Sequence, residues 1–314
     1  MANGEFAPAY AALWRSGELE KRVASAYRIL ENCEICPRQC HVNRRESAKG
    51  AVCRTGERAV VSSFGPHYGE EAPLVGHRGS GTIFFAWCNL KCQFCQNYDI
   101  SQLGEGQEVE PRELATMMLR LQNMGCHNIN LVSPTHVVPQ ILAALLIAVE
   151  AGLRIPLVYN TGGYDALPTL CLLDGVVDIY MPDMKYADTE TAWQFSKVKD
   201  YPQFNQIAVK EMHRQVGDLV LDERGVALRG LLIRHLVLPN GLAGTPEIVR
   251  FIAAEISHNT YLNLMQQYRP CYRAAELPGM ERRITVKEYQ EAVEAALQAG
   301  LERLDERQSR WVFF

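Results

Sequence analysis

Three cysteines stand in the order CxxxCxxC at Cys88, Cys92 and Cys95, inside the stretch Trp87-Cys88-Asn89-Leu90-Lys91-Cys92-Gln93-Phe94-Cys95. Thiolates are the preferred ligands of [4Fe-4S] clusters, and this spacing lets each sulfur take a different iron of one cube. The fourth iron is then left without a protein ligand, open to chelate a substrate through an amine and a carboxylate while still delivering an electron. A pure electron carrier would close all four corners. A zinc knuckle, or three reduced core thiols, are the plainer readings of the same residues.

A second group, Cys33, Cys36, Cys40 and Cys53, brings four thiols within about twenty residues, with Pro37 and Gly50 shaping the turns between them. Four such ligands can close a zinc site or a second [4Fe-4S] cluster, and spacing alone leaves both open. No helix or strand pattern of useful length occupies 44–58, so metal is the expected folding agent there. Seven of the ten cysteines fall in these two groups, which in a reducing compartment argues for metal rather than disulfides. Cys126, Cys171 and Cys271 are scattered and are expected as small buried residues.

The words Cys88-Asn-Leu-Lys-Cys92-Gln-Phe-Cys95-Gln-Asn, with the aromatic Phe94 before the last cysteine, resemble the shared motif of the radical S-adenosylmethionine (SAM) superfamily. Within it they resemble the pyruvate formate-lyase activating enzymes. The phrase Cys36-Pro-Arg-x-Cys40-x-Val-Asn-Arg44 also resembles the N-terminal region of activating-enzyme-like radical SAM proteins. The resemblance implies a [4Fe-4S] cluster on Cys88, Cys92 and Cys95 and SAM chelated to its open iron. Electrons would come from a reduced flavodoxin or ferredoxin, and SAM would be cleaved to methionine and a 5'-deoxyadenosyl radical that abstracts hydrogen. The target it implies is a glycine in a partner protein, with a peptide or a small molecule as the alternatives.

The elements that must position this chemistry begin after Gly79-Ser80-Gly81, where strand and helix patterns alternate almost to the end, as parallel strands with crossover helices require. Apolar runs predict strands at 82–86, 130–133, 155–159, 177–181, 231–238 and 261–265. Helical periodicity predicts helices at 18–32, 112–124 and 138–150, and Thr285-Val-Lys-Glu288 is a capping box opening another that runs to Gly300. The 201–230 stretch reads as a break with a hairpin near 220–228, inserted before strand five. Six βα units fit the partial (β/α)6, TIM-type barrel of radical SAM proteins, an α/β fold with its active site at the C-terminal strand ends. The expected division is an N-terminal helix and four-cysteine extension at 1–75 and a barrel core at 76–314.

On that reading the polar residues at strand ends hold SAM. At the end of strand two, where the activating enzymes carry a Gly-Gly-Glu-Pro segment, this chain has Ser133-Pro134-Thr135-His136, and the resemblance puts Ser133 and Thr135 in its place. Asn160 and Thr161 before Gly162-Gly163 resemble the family's Thr-Asn-Gly segment. At strand four the period of two puts Asp183 and Lys185 on the side of Met181, and they match the family's Asp-x-Lys, which contacts the ribose and carboxylate of SAM. Arg234, inside the apolar run Leu232-Ile-Arg-His-Leu-Val-Leu-Pro239, requires a carboxylate partner; it resembles the family's strand arginine. His235 points the other way and reads as structural, while His136 reads equally as a helix-entry residue and as a site residue. The end of strand six, Met265-Gln-Gln-Tyr-Arg-Pro-Cys271, departs from the activating enzymes, which tend to carry a His there.

A chain of 314 residues with net charge -4 and pI near 6.1 exerts no bulk attraction on nucleic acid or anionic lipid. No apolar run approaches the roughly 20 residues that span a bilayer, and 1–6 lack the basic start and apolar core of a signal peptide, so a soluble cytoplasmic protein is expected. Two other classes compete: an iron–sulfur electron carrier, which has no use for a ring of polar strand ends, and a zinc-dependent nucleic-acid module, which would show a basic, aromatic-studded face.

Overall fold

The computed structural model describes residues 6–305. Its strands are β1 (Ala59–His67), β2 (Ser80–Phe85), β3 (Gln107–Val109), β4 (Ile129–Val132), β5 (Leu157–Thr161), β6 (Ile179–Pro182), β7 (Val220–Leu221), β8 (Ala227–Leu236) and β9 (Tyr261–Met265). Its α-helices are α1 (Tyr10–Arg15), α2 (Glu18–Ile29), α3 (Ala72–Val75), α4 (Tyr98–Ser101), α5 (Pro111–Asn123), α6 (Val138–Glu150), α7 (Leu167–Leu172), α8 (Thr189–Ser196), α9 (Tyr201–Val216), α10 (Thr245–Glu255) and α11 (Val286–Gln298).

Six strands, in the order β2-β4-β5-β6-β8-β9, pair in parallel. They are the six expected from the apolar runs, shifted at their ends by one to four residues except the last, which matches. The result is an α/β fold with a mostly parallel sheet of partial-barrel type. The right-handed crossovers that parallel pairing demands are made by helices whose apolar faces lie on the strands. α6 is apolar nearly all round because it is covered by α2 on one side and α5 on the other. α5 opens on a capping box formed by Glu110 and Glu113 with Pro111 at its first position, and α11 on the expected Thr285–Glu288 box.

Three features depart from expectation. β1 runs antiparallel to β2 and carries β3 on its other edge, so the sheet extends back into the 59–67 segment. The stretch 201–216 is the helix α9, and the hairpin that follows is shorter than expected, β7 against the start of β8. Cys171 is exposed and Cys271 half-buried, where both were expected inside; Cys126 is buried.

The core has three parts. The main apolar layer lies between the sheet and its helices. A smaller cluster of Leu74, Val158, Ile179, Met181, Leu232 and Tyr261 fills the barrel interior. A third, rich in aromatics, lies beneath the 86–97 loop and contains Leu90, Phe94, Tyr186, Phe195 and Tyr268. No described helix is long and apolar enough to cross a membrane.

Candidate active site

The loop that follows β2 is held from three sides. Trp87 takes the left-handed conformation at φ 65° and its N–H donates to Ile100 O. Its ring lies where a Cβ on Gly104 would sit, 2.1 Å away, so only glycine at 104 lets the ring in. Lys91 N and Gln93 N donate to Ser196 O and Phe195 O at the end of α8. Phe94 is packed edge-on by Tyr186, Phe195 and Tyr268, which gives the aromatic before the last cysteine an anchoring task.

Cys88, Cys92 and Cys95 line one cavity at the C-terminal ends of the strands, together with Asn160, Asp183 and Arg234. Burial pushes the Cys88 thiol up to about 12, with Cys92 adding to the effect, and burial likewise raises Cys95. Burial thus favours the protonated form of Cys88 and Cys95 unless a cation is present, and with Cys92 on the same wall their donor chemistry fits a metal–sulfur cluster. Two hydroxyls sit against the sulfurs: Ser196 Oγ is 3.0 Å from Cys92 Sγ, and Ser101 Oγ is 3.1 Å from Cys95 Sγ. Tyr186 OH in turn contacts Ser196 Oγ at 2.7 Å.

The same cavity carries an alternating row of charge. Lys185 Nζ donates to Asp183 Oδ2 at 2.6 Å, and Arg234 Nε donates to Asp183 Oδ1 at 2.8 Å. Arg234 NH2 donates to Asn160 Oδ1 at 2.8 Å, and Arg234 NH1 lies 3.9 Å from Glu71 Oε1. Burial alone would raise the Asp183 carboxyl, but Arg234 and then Lys185 hold it below the usual carboxylate range. Burial likewise works against the Lys185 ammonium, and Asp183 more than restores it. Glu71 goes the other way, its carboxyl raised by burial in spite of Arg234.

Backbone at the strand ends is fixed by α9. Tyr201 OH lies 2.9 Å from Gly162 O and 3.0 Å from Asp183 O, and Lys185 N donates to it at 3.1 Å. Asn205 Nδ2 donates to both Gly163 O and Asp183 O, at 3.0 and 2.9 Å. Gly163 has φ 76°, and a Cβ there would meet Asn205 Nδ2 and Asp183 O at 2.2 Å. Sequence reading missed Tyr201, Asn205 and Glu71; the apolar run Ala208, Val209, Met212 and Val216, all buried on α9, was the available signal for the first two.

Of the residues expected at strand ends, Ser133, Asn160, Thr161, Asp183, Lys185 and Arg234 line the thiol cavity, Ser133 in the left-handed conformation at φ 58°. Thr135 is not among those lining residues. It is buried, donating to Asp165 Oδ1 at 2.7 Å, and Thr161 donates to Asp165 Oδ2 at 2.7 Å. His235 is held on the far side of β8 between Met184 O and Thr245 Oγ1. His136 Nε2 contacts Ala86 O at 3.0 Å, beneath the cysteine loop.

Cys33, Cys36, Cys40 and Cys53 line a second, small cavity with Arg38 and Asn89. Gln39, His41 and Arg54, each next to a cysteine, all take left-handed backbone. Burial raises the Cys36 thiol, and Cys53, Cys33 and Cys40 raise it further, so the other three lie near Cys36. As the side chains stand, no three His, Cys, Asp or Glu among the described residues form a set that could hold a single metal ion. The module docks on the first loop through Arg38, which donates to Asn89 O at 2.9 Å and Lys197 O at 3.0 Å. Behind it Arg44, fully buried, donates to Thr55 O, His136 O and Cys33 Sγ.

The sequence profile of the radical SAM superfamily matches residues 82–307. The chain belongs to that superfamily. Radical SAM proteins bind a [4Fe-4S] cluster and SAM, and this chain is accordingly an enzyme of that type. It is 36% identical over 294 residues to an uncharacterised protein of Methanocaldococcus jannaschii, MJ0674, covering 90% of this chain and 80% of that one. Among solved structures, it is similar to SuiB of Streptococcus suis bound to the precursor peptide SuiA, with 14% identity, TM-score 0.46, and coverage of 70% of this chain and 46% of that one. It is also similar to HydG, a maturase of the [FeFe]-hydrogenase, with 11% identity, TM-score 0.47, and coverage of 69% and 48%. The radical SAM chain therefore spans about half the length of these two structures.

Proposed function

We propose that the chain cleaves SAM reductively at a cluster held by Cys88, Cys92 and Cys95 and uses the product for hydrogen abstraction from a substrate at the barrel mouth. The single observation that carries this reading is that one cavity is lined both by the three thiols and by the Lys185–Asp183–Arg234 row. A cluster held by Cys88, Cys92 and Cys95 would supply one-electron reduction of the SAM sulfonium, chemistry that yields methionine and a 5'-deoxyadenosyl radical. The chain's own residues do the rest. Asp183 is kept ionised and accepts hydrogen bonds from ribose hydroxyls, while Lys185 and Arg234 meet the methionine carboxylate. Ser133, Asn160 and Thr161 supply polar contacts along the same wall. Ser196 and Ser101 would donate to the thiolates of Cys92 and Cys95 once these hold the cluster, which would tune its potential. Leu90, Phe94 and the aromatics under the loop exclude water.

The electron comes from a reduced flavodoxin or ferredoxin. The four-cysteine module, docked on the cluster loop by Arg38, is the place for a second [4Fe-4S] cluster or a zinc ion. A glycine of a partner protein, on the pattern of the activating enzymes, is one target for the radical; the Ser133–His136 segment and the missing strand-six His favour a peptide or small-molecule substrate instead. Anaerobic reconstitution with iron and sulfide, followed by SAM and dithionite, tests the reading. 5'-Deoxyadenosine should form, and Cys92→Ala should abolish it; an intact cluster that forms none would make the chain an electron carrier.

A further inference from the structure

The cysteine loop is bordered by cations from three segments. Arg54, in the four-cysteine module, lies over the Trp87 ring, 5.1 Å from its centroid. Lys197 and Lys199, after α8, flank the exposed ring of Trp193 at 6.0 and 5.6 Å. Arg273, after β9, lies over Tyr272 at 5.4 Å, and its N–H donates to Gln93 O between Cys92 and Cys95. The segments meet here because Ser196 O and Phe195 O accept from the loop, and Arg38 ties Asn89 O to Lys197 O.

None of Arg54, Lys197, Lys199 and Arg273 forms an ion pair with a described carboxylate. The acidic residues of the same segments are Asp99, Glu105, Asp200 and Glu276; Asp99 accepts from Ile100 N and Asp200 from Tyr164 OH. With Arg38 and Arg269 the face carries six cations against these four carboxylates, so it is net positive on a chain of net charge -4. Lys91 adds little, since burial lowers its ammonium. Five aromatic side chains among the described residues are exposed, Trp14, Tyr68, Tyr98, Trp193 and Tyr272, and three of them stand here, Tyr98 stacked on Tyr272 at 5.2 Å. Exposed aromatics beside unpaired cations make a surface suited to an acidic protein partner.

None of these aromatics or cations lines the thiol cavity. A partner seated on them reaches the loop and not the barrel interior. It is placed to pass an electron, which needs proximity, and not to give up a hydrogen atom, which needs contact with the radical. We propose that this face docks an acidic protein electron carrier that delivers its electron through the cysteine loop. The assignment rests on the radical SAM reading above, which puts the electron acceptor on Cys88, Cys92 and Cys95. In that step the carrier is oxidised by one electron and the acceptor reduced by one; no bond forms or breaks. Electron-transfer encounters are small interfaces, so steering charge and a few aromatic anchors suffice.

Flavodoxin is the probe, oxidised for binding and reduced for electron delivery, with photoreduced deazaflavin as a small uncharged reductant. Oxidised flavodoxin should bind the anaerobically reconstituted chain in isothermal titration, and raising salt from about 50 to about 500 mM should weaken it at least tenfold. Lys199→Glu/Arg273→Glu should weaken binding, and slow cluster reduction by flavodoxin, at least about tenfold at low salt, and should leave reduction by deazaflavin unchanged. Arg120→Glu, exposed on α5, should match wild type. Binding that is indifferent to salt, or equal in wild type and the Lys199→Glu/Arg273→Glu variant, overturns the docking face and leaves its cations to an acidic substrate. A deazaflavin rate that falls in step overturns it too, since the residues would then act on the cluster itself. If the cluster is reduced and 5'-deoxyadenosine never forms, the radical SAM reading fails, while flavodoxin binding still decides the face.

Discussion

Arg234 Nε and Asp183 Oδ1 lie 2.8 Å apart on neighbouring strand ends, and the same carboxylate takes Lys185 Nζ on its other oxygen at 2.6 Å. All three groups are largely removed from water, so this is not the exposed ion pair that contributes little. Removing one member leaves a buried charge short of a partner. On the proposed function the row is completed by a zwitterionic ligand, whose carboxylate and hydroxyls would satisfy its remaining hydrogen bonds.

The first prediction concerns SAM. A lost charge-assisted hydrogen bond costs roughly 1.5 to 3 kcal/mol, so Asp183→Ala or Arg234→Ala should weaken SAM affinity by about ten- to a hundredfold. Cluster absorbance should be normal, because neither residue is one of the thiols that would hold the cluster. Arg234→Lys keeps the charge but loses the fork that spans Asp183 and Asn160, and should also bind SAM less well. Unchanged affinity in the two alanine variants would reduce the row to a scaffold ion pair.

The need for this row was legible in sequence because a guanidinium in an apolar strand demands a carboxylate and the period of two puts Asp183 and Lys185 together, but which carboxylate Arg234 meets was not. The six parallel strands were legible for a similar reason: each is buried on both faces and reads as a continuous apolar run. β1 was not, since Gly65 and Pro66 interrupt its run and such residues belong to edge strands. α9 was obscured by Asn205 and Gln215, two polar residues on its buried side that break the apolar stripe because they serve backbone carbonyls. Glu71 carries no local signal at all; its partner Asn263 lies 192 residues away.

The four-cysteine module should bind metal independently of the SAM cluster. Its four thiols line one small cavity, and burial favours the protonated form of Cys36, a proton that chelation would release. Iron and zinc analysis of a Cys88→Ala/Cys92→Ala/Cys95→Ala variant should find metal retained, iron with sulfide for a second cluster or zinc alone. A variant free of both metals would show an unmetallated module.

Gly163 and Gly152 form a matched pair. Both have positive φ, but a Cβ on Gly152 meets nothing within 4 Å, whereas one on Gly163 meets Asp183 O and Asn205 Nδ2 at 2.2 Å. Gly152→Ala should cost only the conformational strain, about 1 kcal/mol in urea unfolding. Gly163→Ala adds a steric clash of about 1–3 kcal/mol and pushes on the Asp183 backbone, so it should lose SAM affinity too. Equal stability losses in the two variants would mean that α9 does not clamp the strand end.

His235 supplies a pH dependence whose sign can be worked out. Burial holds its imidazole down to about 4 from an ordinary 6.5, with the Met184 carbonyl opposing, so it is neutral inside the fold at pH 7. Between those two values the unfolded chain binds a proton that the folded chain refuses. The contribution of His235 to stability is therefore present above about pH 6.5 and lost as pH falls towards 4. Asp178, whose carboxyl burial raises to about 7, works in the opposite direction over an overlapping range, so the slope of the wild-type protein alone is not the readout. The difference between wild type and His235→Asn is, because Asp178 cancels from it. That difference in unfolding free energy, measured in urea, should shrink by about 2 kcal/mol from pH 7 to pH 5, at 1.36 kcal/mol per pKa unit. A difference that stays constant across this range would show that His235 titrates in the folded protein as freely as in the unfolded one.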